Sequence, residues 1–483
     1  MRRLDGFRFA LGVSVLWVGA CSSSSDTRAP GLRSPASGGE SGDQSGAGGA
    51  GVAGGLEGGS GPSEAGAGAG SDAEAGGAAG VDASAGQAGA AASRVHGRVV
   101  DFESRRPLAK RSVQIGDEVA VTDARGAFAL EVRDSPFDVA VVEPDHTVVS
   151  LFVDVSGTDL VLPHGVSAAS FPSDNVVDLR GTLVDDDPYP LAEDELVTLR
   201  FLAERAEAAL TLPPAFGPDF GPMRVAWDGD DSVSGTLVAI RSRLDENGNV
   251  GFTAVGTREL ALRNGEDVDL EFRLESSEQG RLSGRVEVPA AQNLSFIQRH
   301  YRVPFSFGSI PISIDETQAT TFDLVVPNLG ALGGSYCVGA GSSDPFFLTE
   351  TCGLELGATD IVLTLALPPE PLEPNASATV HPDDEFSWTA FDGGVHRLSL
   401  IARTPSEASP SVFLFTAEAR ARFSELSRLA QPFLSRATYD YSVGGYGRFD
   451  DLDDALSEQG IVARFPREIR AGVSSARTIV MAP

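Results

Sequence analysis

From Val95 onward the chain is cut into short runs in which apolar and polar residues alternate, as in VHGRVV, SVQIG, EVAVTD and AFALEV. Turn-forming residues interrupt these runs every eight to twelve positions. A period of two places alternate side chains on one face of a strand, and strands this short close a core only by pairing into sheets that pack face to face. The expected fold class is therefore all-β, a tandem series of β-sandwich modules. Gly126 closes the turn Asp123-Ala124-Arg125-Gly126, where a positive φ is needed. Asn247-Gly248 between two alternating runs signals a hairpin. ERAEAAL, residues 204–210, has the composition of a helix, while the alternating ELVTLRF before it keeps the module in the β class.

The body is preceded by a segment that cannot fold in this way. Residues 21–93 are almost entirely Gly, Ala and Ser after Cys21, with no apolar face to offset the entropy of ordering. They are expected to be a disordered tether with a mean reach of roughly 45 to 50 Å. Ahead of it, Arg2, Arg3 and Arg8 precede the apolar run Leu11–Val18, too short for a permanent span and typical of a secretory signal. Its end, Val18-Gly19-Ala20-Cys21, resembles the lipobox of bacterial lipoproteins. That resemblance implies cleavage after residue 20 and lipid on Cys21. Several acyl chains at about 0.8 kcal/mol per buried methylene suffice for stable anchoring. Ser22, where an inner-membrane retention aspartate would stand, points to the outer membrane and the cell surface.

The motif Val95-x-Gly97-x-Val99 recurs as Leu179-x-Gly181-x-Leu183 and Leu282-x-Gly284-x-Val286, starts 84 and 103 residues apart. Modules are accordingly expected at 94–168, 175–277 and 278–368, and a fourth at 375–483 after the linker LPPEPLEP. Over Arg94–Leu162 the first motif, with Pro107-Leu108, Val113-x-Ile115 and Thr122-Asp123-x-x-Gly126-x-Phe128-x-Leu130, resembles the carboxypeptidase regulatory-like domain. The resemblance implies a transthyretin-like sandwich in an accessory role, without catalytic residues. In the last module, FSWTAFDGGVHRLSLIA with Trp388, and Tyr439-x-Tyr441-x-Val443, resemble a fibronectin type III domain. That implies Trp388 in the core and a tyrosine corner. The following GGYGRFDDLDDALSEQ departs from that pattern.

Cys337 and Cys352 flank a turn at Asp344-Pro345, which would set them opposite each other across a hairpin at bridging distance. A disulfide there would contribute about 3 kcal/mol. The alternative is a pair of buried thiols.

Few residues point to chemistry. The sequence contains neither a G-x-S-x-G elbow nor an H-E-x-x-H pair, and its six histidines stand singly. No cofactor is expected. Acidic clusters at Asp185-Asp186-Asp187, at Asp228 with Asp230 and Asp231, and at His381 with Asp383, Asp384 and Glu385 are calcium candidates, weighed against solvated loop charge. Asp245-x-Asn247-x-Asn249 begins like an EF-hand loop but has Val250 and Gly256 where Gly and Glu are required. Because sandwiches of this type share a fold with starch-binding domains, Trp227, Tyr189, Phe216 and Phe220 are candidates for a sugar-stacking platform, weighed against local packing.

Charge excludes other partners. The formal net charge of −31 becomes −33 once the signal removes three arginines and one aspartate, which disfavours nucleic acid. The expected partners are the membrane, through Cys21, and a glycan or protein ligand. Three readings follow: a non-catalytic surface protein for binding or adhesion, an accessory subunit or enzyme acting on envelope polymers, and a structural spacer. Replacement of the anchoring residue, Cys21→Ser, is expected to move the protein from the membrane to the soluble fraction; membrane retention of the variant would refute lipidation.

Overall fold

The computed structural model describes residues 93–165, 173–245, 250–290, 292–306, 308–381, 383–405, 409–422, 437–463 and 468–482. Cys21, the tether and the hairpin turn Asn247-Gly248 lie outside the described residues. Among the described residues the regular structure is almost entirely strand, and no described helix is long and apolar enough to cross a membrane.

Seven strands form the first segment: β1 (Ser93–Asp101), β2 (Ser112–Ile115), β3 (Glu118–Val121), β4 (Ala127–Val132), β5 (Phe137–Val142), β6 (Val148–Val155) and β7 (Asp159–His164). The second segment repeats the pattern with β8 (Asn175–Val184), β9 (Glu195–Ala203), β10 (Glu207–Leu212), β11 (Asp219–Trp227), β12 (Ser232–Leu244), β13 (Val250–Arg263) and β14 (Val268–Arg273). A two-residue strand, β15 (Glu275–Ser276), leads to the third set: β16 (Gln279–Glu287), β17 (Phe296–Arg302), β18 (Ser309–Glu316), β19 (Thr321–Pro327), β20 (Ser335–Ser343), β21 (Phe346–Leu354) and β22 (Ile361–Thr364).

In every set the first strand is the centre of a three-stranded sheet, antiparallel to the fourth strand and parallel to the seventh. The second, third, fifth and sixth strands make the opposing antiparallel sheet in the same order. The recurring V-x-G-x-V motif is that central strand, and its glycine has a physical cause. A Cβ on Gly97 would stand 2.2 Å from the Leu160 carbonyl oxygen, one on Gly181 2.0 Å from that of Leu270, and one on Gly284 2.1 Å from that of Ile361. Each carbonyl belongs to the residue paired with the glycine on the parallel strand. Only glycine admits so close a backbone. Gly126 has the expected positive φ of 73°, and the stretch of helical composition is extended instead, with Glu207–Leu212 a strand.

The last segment contains β23 (Pro371–Glu373), β24 (Thr379–Val380), β25 (Glu385–Trp388), β26 (Gly394–Ala402), β27 (Ser411–Thr416), β28 (Arg420–Arg422), β29 (Thr438–Gly447), the short helix α1 (Leu452–Ala455), β30 (Glu468–Val473) and β31 (Arg477–Met481). Trp388 is buried beside Phe386, Tyr439 and Tyr441, as its resemblance implies. The Tyr441 hydroxyl donates to the Pro374 carbonyl at the head of the segment, and residues 423–436, the backbone upstream that a tyrosine corner would engage, lie outside the described residues.

The segments share sheets and cores. A 14-stranded sheet contains, in order, β18, β17, β20, β21, β30, β29, β26, β27, β6, β5, β2 and β3, with β24 and β31 off this path. It joins the third segment to the last through β21 and β30, and the last to the first through the parallel pair β27 and β6. Phe415 of β27 stacks on Phe152 of β6 at 4.9 Å inside the first segment's core. The outer face of β5 and β6, with Ala140, Val149 and Leu151, lines the core around Trp388. The atypical segment after β29 also docks on the first: Leu452, Ala455 and Leu456 enter its core, and the Asp453 carboxylate accepts bonds of 2.9 Å from the Ser156 and Gly157 amides. Leu202, Val238, Ile240 and Phe252 of the second segment pack into the third segment's core.

Gly181→Ala and Gly284→Ala are each expected to destabilise the body by about 1 to 3 kcal/mol or more, because the new methyl must separate a parallel strand pair. Urea unfolding measures this, and unchanged midpoints would contradict the close approach.

Candidate functional site

The aromatic candidates separate on inspection. Trp227 is fully buried, and its indole Nε1 donates to the Asp230 carbonyl at 2.8 Å. Phe220 is buried in the same core. The platform expected at these two positions is therefore corrected: both sit on β11, where a register shift between Phe220 and Met223 changes which positions face inward, so that Phe220 and Trp227 are both buried and neither ring is open to a sugar. Tyr189 is half-buried with the Arg241 guanidinium 5.2 Å from its ring centre. Burial, aided by Asp185, pushes its hydroxyl pKa up to about 12. Phe216 is the member that remains exposed, at 43%. It lies on a loop fastened to Leu191 by paired backbone bonds of 2.9 Å.

The acidic clusters are occupied by the protein's own donors. Asp185 pairs with Arg241 at 2.9 Å, and Glu195 holds the same guanidinium at 2.6 Å, all nearly inaccessible to solvent. Asp230 pairs with Arg205, Asp384 caps the His381 amide, and Glu385 pairs with Arg422. Asn247 and Asn249 of the EF-hand-like stretch lie outside the described residues.

A contact with catalytic residue types occurs at Ser150 and His164, whose Oγ and Nδ1 are 2.9 Å apart. Both side chains have no solvent exposure, and among the described residues His164 Nε2 has no hydrogen-bond partner. A nucleophile and base need a third group to orient the ring and a route for substrate. This pair is core. Burial, with Arg111 adding to it, depresses the His164 pKa to about 3, and burial depresses that of His396 to about 4.

The densest chemistry lies on the outer face of the third segment. On β17 the alternating residues Gln298, His300 and Arg302 share one face, with His300 opposite Cys337 and Gln298 opposite Gly339. Gly339 in turn pairs with Glu350 on β21. The cysteines form the expected disulfide across β20 and β21, with Cα atoms 4.1 Å apart. Glu350 is buried at the centre. Its carboxylate receives Arg302 Nη2 at 2.9 Å, lies 3.3 Å from His300 Nδ1 and 3.4 Å from Gln298 Nε2, and touches Cys352 Sγ at 3.5 Å. Arg302 Nε also meets His300 Nε2 at 3.3 Å. That contact makes Nε2 the acceptor and gives the ring proton to Nδ1, facing the carboxylate. Burial lowers the His300 pKa, the carboxylate opposes this, and Arg302 and Arg105 reinforce it.

Arg105 comes from the first segment, in the connection between β1 and β2, at a φ of 61° that side chains other than glycine rarely adopt. Its turn is held by the Arg105 amide on the Asp101 carbonyl at 2.8 Å and by the Ser104 amide on the Asp101 carboxylate at 2.6 Å. Burial, then repulsion from Arg302, lowers its pKa to about 10, against the attraction of Glu350. Two guanidiniums, an imidazole and the disulfide thus gather around one buried carboxylate. The cysteines were legible beforehand. His300, Arg302, Glu350 and Arg105 were not singled out, although the alternation of 298, 300 and 302 toward the cysteine-bearing strands was available as a signal.

No family model and no curated protein matches the chain. Among solved structures it is similar to the Bacillus anthracis TIE protein (11% identity over 57% of this chain and 50% of that one, TM-score 0.14). It is also similar to fibronectin domains FN1–FN3 of chicken CNTN1 (6%, 64% and 99%, 0.15) and to BcpA, the major pilin subunit of Bacillus cereus (9%, 57% and 98%, 0.11). The chain spans half the length of the first. Superpositions at this level leave the fold to be read from the sheets themselves.

The two buried histidines set a pH dependence. Both are neutral when folded and ordinary when unfolded, so the unfolded state takes up the extra protons as pH falls below about 6.5. Stability is complete above that pH and declines toward the folded values, by about 1.4 kcal/mol per pH unit for each histidine. Urea midpoints between pH 6.5 and 5, where most carboxylates remain ionised, should fall, and His164→Gln should remove part of the slope, with His396 and His300, whose pKa burial also lowers, carrying the rest. A flat wild-type profile would contradict burial of both rings.

Proposed function

We propose that this is a non-catalytic surface protein, held by lipid on Cys21 in the outer membrane and extended by residues 22–93, whose β body presents loops for binding or adhesion. The observation that carries the reading is the interlocking of the body. Strands of the first, third and last segments belong to one sheet, and the second segment shares the third's core. A body joined by strand pairing holds its loops at fixed positions, as binding scaffolds do. The sealed Ser150–His164 contact supports the non-catalytic part of the reading. Of the aromatic candidates, Phe216 is the one offered to a glycan or protein ligand, on a loop braced by Leu191.

The test uses the full chain with Cys21→Ser. It is expected to be retained saturably on envelope fractions or insoluble polysaccharide, without release of soluble fragments from the polymer, and Phe216→Ala should weaken retention about tenfold. Polymer cleavage would refute the non-catalytic role. Retention on nothing would refute binding and leave a spacer.

A further inference from the structure

We propose that His300, Cys337, Glu350 and Cys352 form a binding site for a divalent cation of the zinc class in the reduced protein, and that the Cys337–Cys352 disulfide closes this site. One donor atom from each of the four residues lies within 4.8 Å of the others. Two sulfurs, an imidazole and a carboxylate are the donor set and number that a tetrahedral, borderline-soft cation takes; calcium and magnesium take oxygen.

The four positions are fixed by the ladder. His300 pairs with Cys337 across β17 and β20, and Glu350 and Cys352 alternate on β21 beside them. Little chain entropy remains to be lost on binding. Glu350 and Cys337 are buried, while Cys352 is half-buried and gives the ion its entry. Three anionic donors around a dication leave one negative charge, which Arg302, 2.9 Å from Glu350, offsets directly and the electrostatic attraction between Arg105 and Glu350 offsets further. The oxidised cluster, with Glu350 as its anion beside the same two arginines, carries the same net charge. Exchange between the two states therefore adds no unbalanced charge to this buried face.

The chemistry balances as follows. A dithiol reductant supplies two electrons and two protons, the S–S bond breaks to two thiols, and the reductant leaves as its own disulfide. The cation then displaces both thiol protons to solvent. Ligation through His300 Nδ1 transfers the ring proton to Nε2. Arg302 gives up its Nε contact there and keeps its bond from Nη2 to Glu350.

The experiment uses the full chain with Cys21→Ser, reduced by a phosphine that does not ligate metals and titrated anaerobically with Co²⁺ as an optical probe. One equivalent per chain is expected, with a thiolate-to-cobalt charge-transfer band and the intense visible bands of a tetrahedral site. The oxidised protein should show neither. Cys352→Ser should lose most of the charge-transfer band, and His300→Ala and Glu350→Gln should each weaken binding by about tenfold or more. Absence of the band in the reduced protein, equal uptake by the oxidised form, or bands appearing only as near-ultraviolet circular dichroism is lost would each overturn the proposal. The comparison of oxidised with reduced protein decides the matter even if the cysteine variant fails to fold.

Discussion

The seam between β27 and β6 is the constraint on which the arrangement depends. Ser411–Phe415 pairs in parallel with Val148–Phe152, joining chain segments that are distant in sequence. A strand that ends a sheet presents unpaired amides and carbonyls, which are a hazard in water and in crowded surroundings. Here the exposed edge of one sandwich is the completing strand of another. The same solution is used at β21 and β30. Once strands pair across segments, both faces of β5 and β6 become interior: Val139, Val141 and Phe152 face one core, and Ala140, Val149 and Leu151 face the other. β12 shows the equivalent effect in the second segment, with a nearly continuous buried run rather than a clean alternation.

Polar groups caught between cores need partners, and arginine supplies them. Arg241 is held by Asp185 and Glu195, Arg111 by Glu143, Arg299 by Asp315 and Arg470 by Glu468, with each guanidinium nearly inaccessible. Such pairs add little net stability, since desolvation offsets the attraction, but removing one partner leaves an uncompensated buried charge. They therefore fix register more than they strengthen the fold. The cluster around Glu350 belongs to this group in its position between segments. It differs in composition: among the described residues Arg302 Nη1 lacks a partner, Arg105 is held in a strained backbone, and two sulfurs lie alongside.

What depends on local pattern was legible in the sequence. The V-x-G-x-V motif marked the centre of three like sheets, because one close carbonyl approach imposes the same glycine at Gly97, Gly181 and Gly284. The turn at Gly126 and the Cys337–Cys352 pairing follow from equally local chemistry. Burial of a particular aromatic does not. Trp227 and Phe220 stand near glycine, proline and aspartate, as exposed loop residues would, yet β11, with a register shift between Phe220 and Met223, turns both inward. The joints were also hidden. Nothing local to Val148–Val155 specifies Ser411–Thr416 as its neighbour, and the helix Leu452–Ala455 registered only as a departure from a known pattern. The charged face of β17 was obscured for the same reason, since its carboxylate and sulfurs come from β20 and β21 and its second arginine from another segment.

The use of arginine inside has a consequence outside. The chain carries 37 basic and 68 acidic residues. Several of the basic ones are spent in buried pairs, one acid against each or two against Arg241. Pairing removes equal charge from both sides or slightly more from the acidic side, so the excess of carboxylates over cations is left mainly on exposed positions. An exposed carboxylate excess generates a negative potential over the surface within about a Debye length, roughly 8 Å at physiological salt. A ligand approaching the loops must be neutral or cationic to avoid that repulsion. An uncharged glycan satisfies this condition, as does a basic protein surface, whereas an anionic polymer meets repulsion wherever it touches. The same potential raises the local concentration of divalent cations, which are attracted to the body irrespective of any specific site.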